Sequence, residues 1–147
     1  MDNPTVAAAL NQLLDAEQQS LVLRVAESTP FISLEEVAAG NVVRAMAQAS
    51  RAHRASLTEL ILDLGGQPVP RRAVLLSGNL HYLDLQATMP QLLHAQEALI
   101  ALYKQVAPRL SSEPRAAQQV NRILARHESD LAKLTCSLPA QAGIRAG

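Results

Sequence analysis

Residues Met46 to Pro68 read MAQASRAHRASLTELILDLGGQP. Met46, Ser50, His53, Leu57, Leu60 and Leu64 recur every three or four positions, the spacing of one face of an α-helix. Gly65 and Gly66 follow the last periodic residue and Pro68 lies just beyond, the order in which helices stop. Upstream the pattern continues through Val43, Val42 and Val37, with Gly40 as a weak point, to Ser33-Leu34-Glu35-Glu36. There a serine three residues before a glutamate makes a capping box. One long helix is predicted from about Ser33 to Leu64.

The flanks read the same way. Leu10, Leu13, Leu14, Leu21 and Val25 predict a first helix from about Thr5 to Glu27. Asn3 or Thr5 is placed to cap it, Pro4 fits its first turn, and Ser28-Thr29-Pro30 ends it. Downstream, residues 69–78 break any period and read as a connection, with the apolar run Ala73–Leu76 lying against the protein. A third helix is predicted from about Asn79 to Val106, kinked by Pro90. A fourth opens at Ser111-Ser112-Glu113-Pro114 and runs to about Leu134. The expected fold is all-α: one domain, residues 1–135, built as an antiparallel four-helix bundle with a long crossover between helices 2 and 3. Residues 136–147 are expected to be a frayed tail.

Composition narrows the function. The 147 residues are 48% hydrophobic but only 2% aromatic, so the core is aliphatic and alanine-rich. Thirteen basic residues balance thirteen acidic ones, so the electrostatic footprint of a nucleic-acid binder is absent. A single cysteine, Cys136, rules out an intrachain disulfide framework and a cysteine-only zinc site. The first twenty residues carry Asp2, Asp15 and Glu17 and no basic residue, unlike a signal peptide, and no apolar run has the length of a membrane span. A cytoplasmic protein is expected. Its low charge and many alanines favour homo-oligomers through helix packing, with neither nucleic acid nor membrane as partner. Glycine-rich phosphate loops and serine–histidine–carboxylate sets are missing.

One ionisable residue interrupts each apolar stripe. Glu17 follows Leu10 and Leu14; His53 lies between Met46 and Leu57; Glu97 between Leu93 and Ile100; His127 between Val120 and Leu131. Four such helices bring these groups together near the middle of a bundle. Buried charges are paired or bind metal. Two glutamates and two neutral histidines would be neutralised by one divalent ion, iron, manganese or zinc. A metal-free hydrogen-bonded network of the same four groups would also balance, with both histidines protonated. Both readings stand at this point.

Those residues carry a resemblance. Leu14-Asp15-Ala16-Glu17, His53 with Leu57, and Leu64-Gly65-Gly66-Gln67-Pro68 resemble the bacterioferritin and rubrerythrin branch of the ferritin-like superfamily. Glu97 is similar to that branch's lone glutamate, and His127 to the histidine of its Glu-x-x-His motif. The likeness covers about Thr5 to Leu134 and is more specific over the first two helices. It implies a metal site of Glu17, His53, Glu97 and His127, with iron as the first choice of ion, and oxidoreductase chemistry. The chain departs from the pattern at Ser50 and Leu124, where the branch has the glutamates that bridge two metals. The resemblance therefore implies at most one divalent ion per chain, or a non-enzymatic helical module whose site has decayed. His94 and Asp130 lie beside the expected ligands: His94 is a candidate fifth ligand or partner but reads more as a boundary residue, Asp130 a candidate for the missing carboxylate but reads more as a solvated flank, and Tyr103 a candidate for oxidation chemistry but reads more as a packed tyrosine with a hydrogen-bonded hydroxyl. Arg44, Arg51 and Arg54 read as part of a solvated face.

Overall fold

A computed structural model of the chain describes residues 3–28, 37–70 and 85–137. Every regular element among them is helical: α1 (Pro4–Gln18), α2 (Leu21–Ser28), α3 (Val37–Asp63), α4 (Leu85–Val106), a 3-10 turn (Ala107–Leu110) and α5 (Pro114–Cys136). The all-helical expectation therefore holds. No helix among the described residues is long and apolar enough to cross a membrane. The predicted capping box at Ser33–Glu36, the crossover from residue 71 onward, the first turns of the third helix before residue 85, and the tail from residue 138 lie outside the described residues.

The helix ends follow the local chemistry. Asn3 Oδ1 accepts the Val6 amide at 3.2 Å, and Pro4 takes the first helical position, where no amide hydrogen is needed. Gly65 stands at φ 77°, a left-handed conformation that glycine reaches without strain. With it, Gly66 N donates to Ile61 O at 2.9 Å and Gly65 N to Leu62 O at 3.0 Å, the paired bonds of a Schellman cap. Pro114 opens α5 in the same way that Pro4 opens α1. Pro90 lies inside α4, which continues through it.

The first helix departs from the expected single segment. It is interrupted at Gln19 and Ser20, where Gln19 stands at φ −98° and ψ 13°. Ser20 N donates to Glu17 O at 3.3 Å, a 3-10 bond, and α2 restarts when Arg24 N bonds Ser20 O, also at 3.3 Å. Neither residue is a helix breaker, so the pattern carried no sign of the interruption.

Two ties join α1 to α3. Asn3, just before α1, donates its amide to Leu64 O just after α3, at 3.3 Å. Glu17, near the other end of α1, accepts a bond from Ser50 in the middle of α3. The strap after α3 lies along α1, for Asn11 Nδ2 donates to Gln67 O and Asn11 Oδ1 accepts from Val69 N, each at 2.8 Å.

The apolar interior falls into two clusters. One joins Leu10, Leu13 and Leu14 of α1 to Leu57 and Ile61 of α3, Tyr103 and Val106 of α4, and Val120 and Ile123 of α5. The other joins Val22 and Val25 of α2 to Val43 and Met46 of α3, Leu85, Met89 and Leu92 of α4, and Leu134 of α5. Burial of each such side chain contributes about 1.5–3 kcal/mol. Between the clusters, at the waist of the bundle, the side chains are polar.

Candidate functional site

The waist is built on Glu17, whose side chain has no exposure to solvent at all. An isolated carboxylate there would be very costly. Its two oxygens are instead served from three other helices. Ser50 Oγ of α3 donates to Oε1 at 2.8 Å. Tyr103 Oη of α4 and His127 Nε2 of α5 both donate to Oε2, each at 2.6 Å. Burial by itself would raise the Glu17 pKa. The bonds and charge of His127, with those of Tyr103 and Ser50, outweigh burial and hold the group below the usual carboxylate range. Glu17 is therefore an ionised hydrogen-bond acceptor and a poor base. Burial and the Glu17 carboxylate push the Tyr103 phenol strongly up, so it stays a neutral donor.

Gln96 fixes the ring of His127 from the far side. Its Nε2 lies 3.1 Å from His127 Nδ1 and 3.3 Å from His127 O. The amide hydrogen on the carbonyl fixes the orientation of Gln96, because a turned amide would set its oxygen against the His127 carbonyl. Nε2 carries the proton that it shares with Glu17.

His53 completes the waist in a different way. Its ring stands edge-on to that of His127, with centroids 4.8 Å apart, and it is buried. Its Nε2 has no hydrogen-bond partner among the described residues. Burial pulls its pKa down to about 4; the Glu17 and Asp130 charges oppose that shift and the His127 and Arg126 charges add to it. His53 is thus a neutral imidazole at neutral pH.

Three of the four expected ligands, Glu17, His53 and His127, meet at the waist. The fourth does not. Glu97 is exposed, and the neighbouring Gln96, one position back, is the buried residue that reaches His127. The inward stripe of α4 runs Leu92, Gln96, Ile100, Tyr103, which turns Glu97 about 100° away from the core. Asp130 also corrects the reading: it is a buried residue, not a solvated flank, and Arg126 Nε lies 2.9 and 3.0 Å from its two oxygens. His94 is exposed and lines a groove beside α4. Leu124 packs against the larger apolar cluster. Ser50, expected only as a missing bridge, is a direct donor to Glu17. Its place on the stripe beside His53 was the signal for that role. Among the described residues no group of three or more His, Cys, Asp or Glu side chains is arranged to hold a metal ion.

The chemical capacity of the waist follows from these contacts. Glu17 is occupied by donors, Tyr103 is locked as a donor, and both ring nitrogens of His127 are engaged. The ring nitrogen left over is His53 Nε2. Gln96 alone of these residues also lines the groove between the α1–α2 junction and α4. Compared with protein-family models, curated proteins and solved structures, the chain matches none.

Proposed function

We propose that this chain is a non-enzymatic helical module, a ferritin-like antiparallel bundle with a crossover between its second and third long helices, in which a hydrogen-bonded hub takes the place of a dinuclear metal centre. The observation that carries this reading is the occupancy of Glu17: three protein donors from three helices already serve its two oxygens. A carboxylate satisfied in this way stabilises one packing of the helices and has little left to offer a metal. Ser50 and Leu124 at the bridging positions, with Glu97 turned to solvent, support the same reading. So do the two ties that set the start of α1 against the end of α3 and the end of α1 against its middle. The module is cytoplasmic in this reading and acts by self-association through helix packing.

His53 favours a second reading. A buried imidazole with an unbonded Nε2 beside His127 and Glu17 is the making of a two-histidine, one-carboxylate site for a single divalent ion, iron first. His127 would have to exchange its bond to Glu17 for a metal.

Elemental analysis of protein purified without chelator, followed by titration with Fe(II) and Zn(II), separates the two. The module reading expects no stoichiometric ion, and unchanged binding behaviour in Glu97→Ala, whose exposed site keeps stability within about 0.5 kcal/mol of wild type. One ion per chain in the wild type, lost in His53→Ala, would overturn it in favour of the mononuclear site.

A further inference from the structure

A groove of about 640 Å³ lies between the α1–α2 junction and α4. That volume falls in the range of small-molecule sites, roughly 300–1,000 Å³. Its walls are largely apolar, with Leu21 and Val22 on one side and Pro90, Leu99 and Leu102 on the other. The interruption at Gln19 and Ser20 helps to form it, because both residues line the groove where a continuous helix would have carried on.

Among the described residues, the one formally charged side chain on the lining is that of Arg24. Arg24 and His94 both line the groove, and no aspartate or glutamate does so among the described residues. The Nε of Arg24 is buried and has no hydrogen-bond partner among the described residues. A guanidinium presents a planar fork that fits a carboxylate through two parallel bonds, and in low-dielectric surroundings such bonds are stronger than neutral ones. An apolar trough with an arginine among its lining residues is complementary to a molecule with an apolar tail and a carboxylate head.

We propose that this groove binds a small amphiphilic carboxylate, its chain along Leu99 and Leu102 and its head on Arg24. The inference does not depend on the reading of the waist, since none of Glu17, His53 and His127 lines the groove.

The test is an NMR titration of the full-length chain with octanoate, with octanol as the uncharged probe of the same chain length. A charge-assisted hydrogen bond contributes about 1.5–3 kcal/mol, so octanoate should bind at least about tenfold more tightly than octanol. Shifts should centre on Arg24, His94 and Leu99. Arg24→Met should bring the two affinities to within about twofold of each other by removing that bond. Ala98→Trp, at an exposed position of α4 that lines the groove, should abolish binding of both. Circular dichroism checks that each variant is folded. No octanoate binding, equal binding of octanol, or octanoate binding that survives both substitutions would overturn the proposal.

Discussion

Tyr103→Phe removes one oxygen from the waist and leaves the ring in place. The Tyr103 hydroxyl donates to Glu17 Oε2 at 2.6 Å, and both side chains are fully buried. Water cannot replace the lost donor easily, and Glu17 keeps only Ser50 and His127. A hydrogen bond to a charged group contributes about 1.5–3 kcal/mol net, so the substitution should cost about 2 kcal/mol. For a chain of this size that corresponds to a fall in Tm of about 4–8 °C. Urea titrations at pH 7, followed by circular dichroism, measure the free energy directly. The same substitution in a Glu17→Gln background tests the charge: with a neutral acceptor the hydroxyl contributes about 1 kcal/mol, leaving a coupling energy of about 1 kcal/mol. A cost below about 0.5 kcal/mol, or an equal cost in both backgrounds, would refute the claim that the tyrosine steadies a buried carboxylate.

Two further outcomes follow from the same geometry. Burial holds His53 at about 4 in the folded chain, below the ordinary histidine value of 6.5, so between those values the unfolded chain takes up a proton that the folded chain does not. This contribution is fully present above about pH 6.5 and is lost as pH falls towards 4; it amounts to about 3 kcal/mol unscreened and roughly half that with solvent screening. Glu17, held below the usual carboxylate value of 4.5, loses its own share only under more acid conditions. Urea midpoints of His53→Leu should therefore be flatter than wild type between pH 6.5 and 4.5, and parallel curves would show that His53 is not the titrating group. At the other end of the bundle, a Cβ on Gly66 would stand 2.8 Å from Ala7 Cβ and 3.1 Å from Ile61 Cγ2. Gly66→Ala should then cost about 1–3 kcal/mol by overpacking, and an unchanged Tm would contradict the close approach of α1 to the α3 cap.

The helices were legible because their signals are local. Periodicity placed Leu10, Leu57 and Val120 inside, and Gly65 and Pro114 marked an end and a beginning. The waist was legible where a charged or aromatic group broke a stripe whose phase was secure, as with Glu17, His53 and His127. In α4 the phase was ambiguous: Leu92 and Leu93 are adjacent, and both lead to Ile100 at helical spacing. The stripe through Leu93 passes through Glu97, whereas the true one passes through Gln96. A glutamine is also a weaker flag than a glutamate. Tyr103 and Val106, which continue the Leu92 stripe, are the residues that would have settled the phase. Asp130 was hidden for another reason. It depends on Arg126, four residues earlier, whose guanidinium makes burial of the carboxylate tolerable.

The polar waist also divides the apolar interior of the described residues into two parts. On one side Asn3 and Asn11 tie α1 to the end of α3, to the strap after it and to the turn before α5. On the other side α2 and the first half of α3 meet α4 through aliphatic contacts. The bonds at the waist are directional, so they do not slide as apolar contacts do. Opening of the α2 half can stop there and leave the other half intact. Amide hydrogens should therefore exchange in two tiers, with α2 and the N-terminal half of α3 released by partial opening and Leu57, Ile61 and Val120 released only by global unfolding. A substitution in the α2 half would then change the abundance of the partly open form before it changes the midpoint of unfolding.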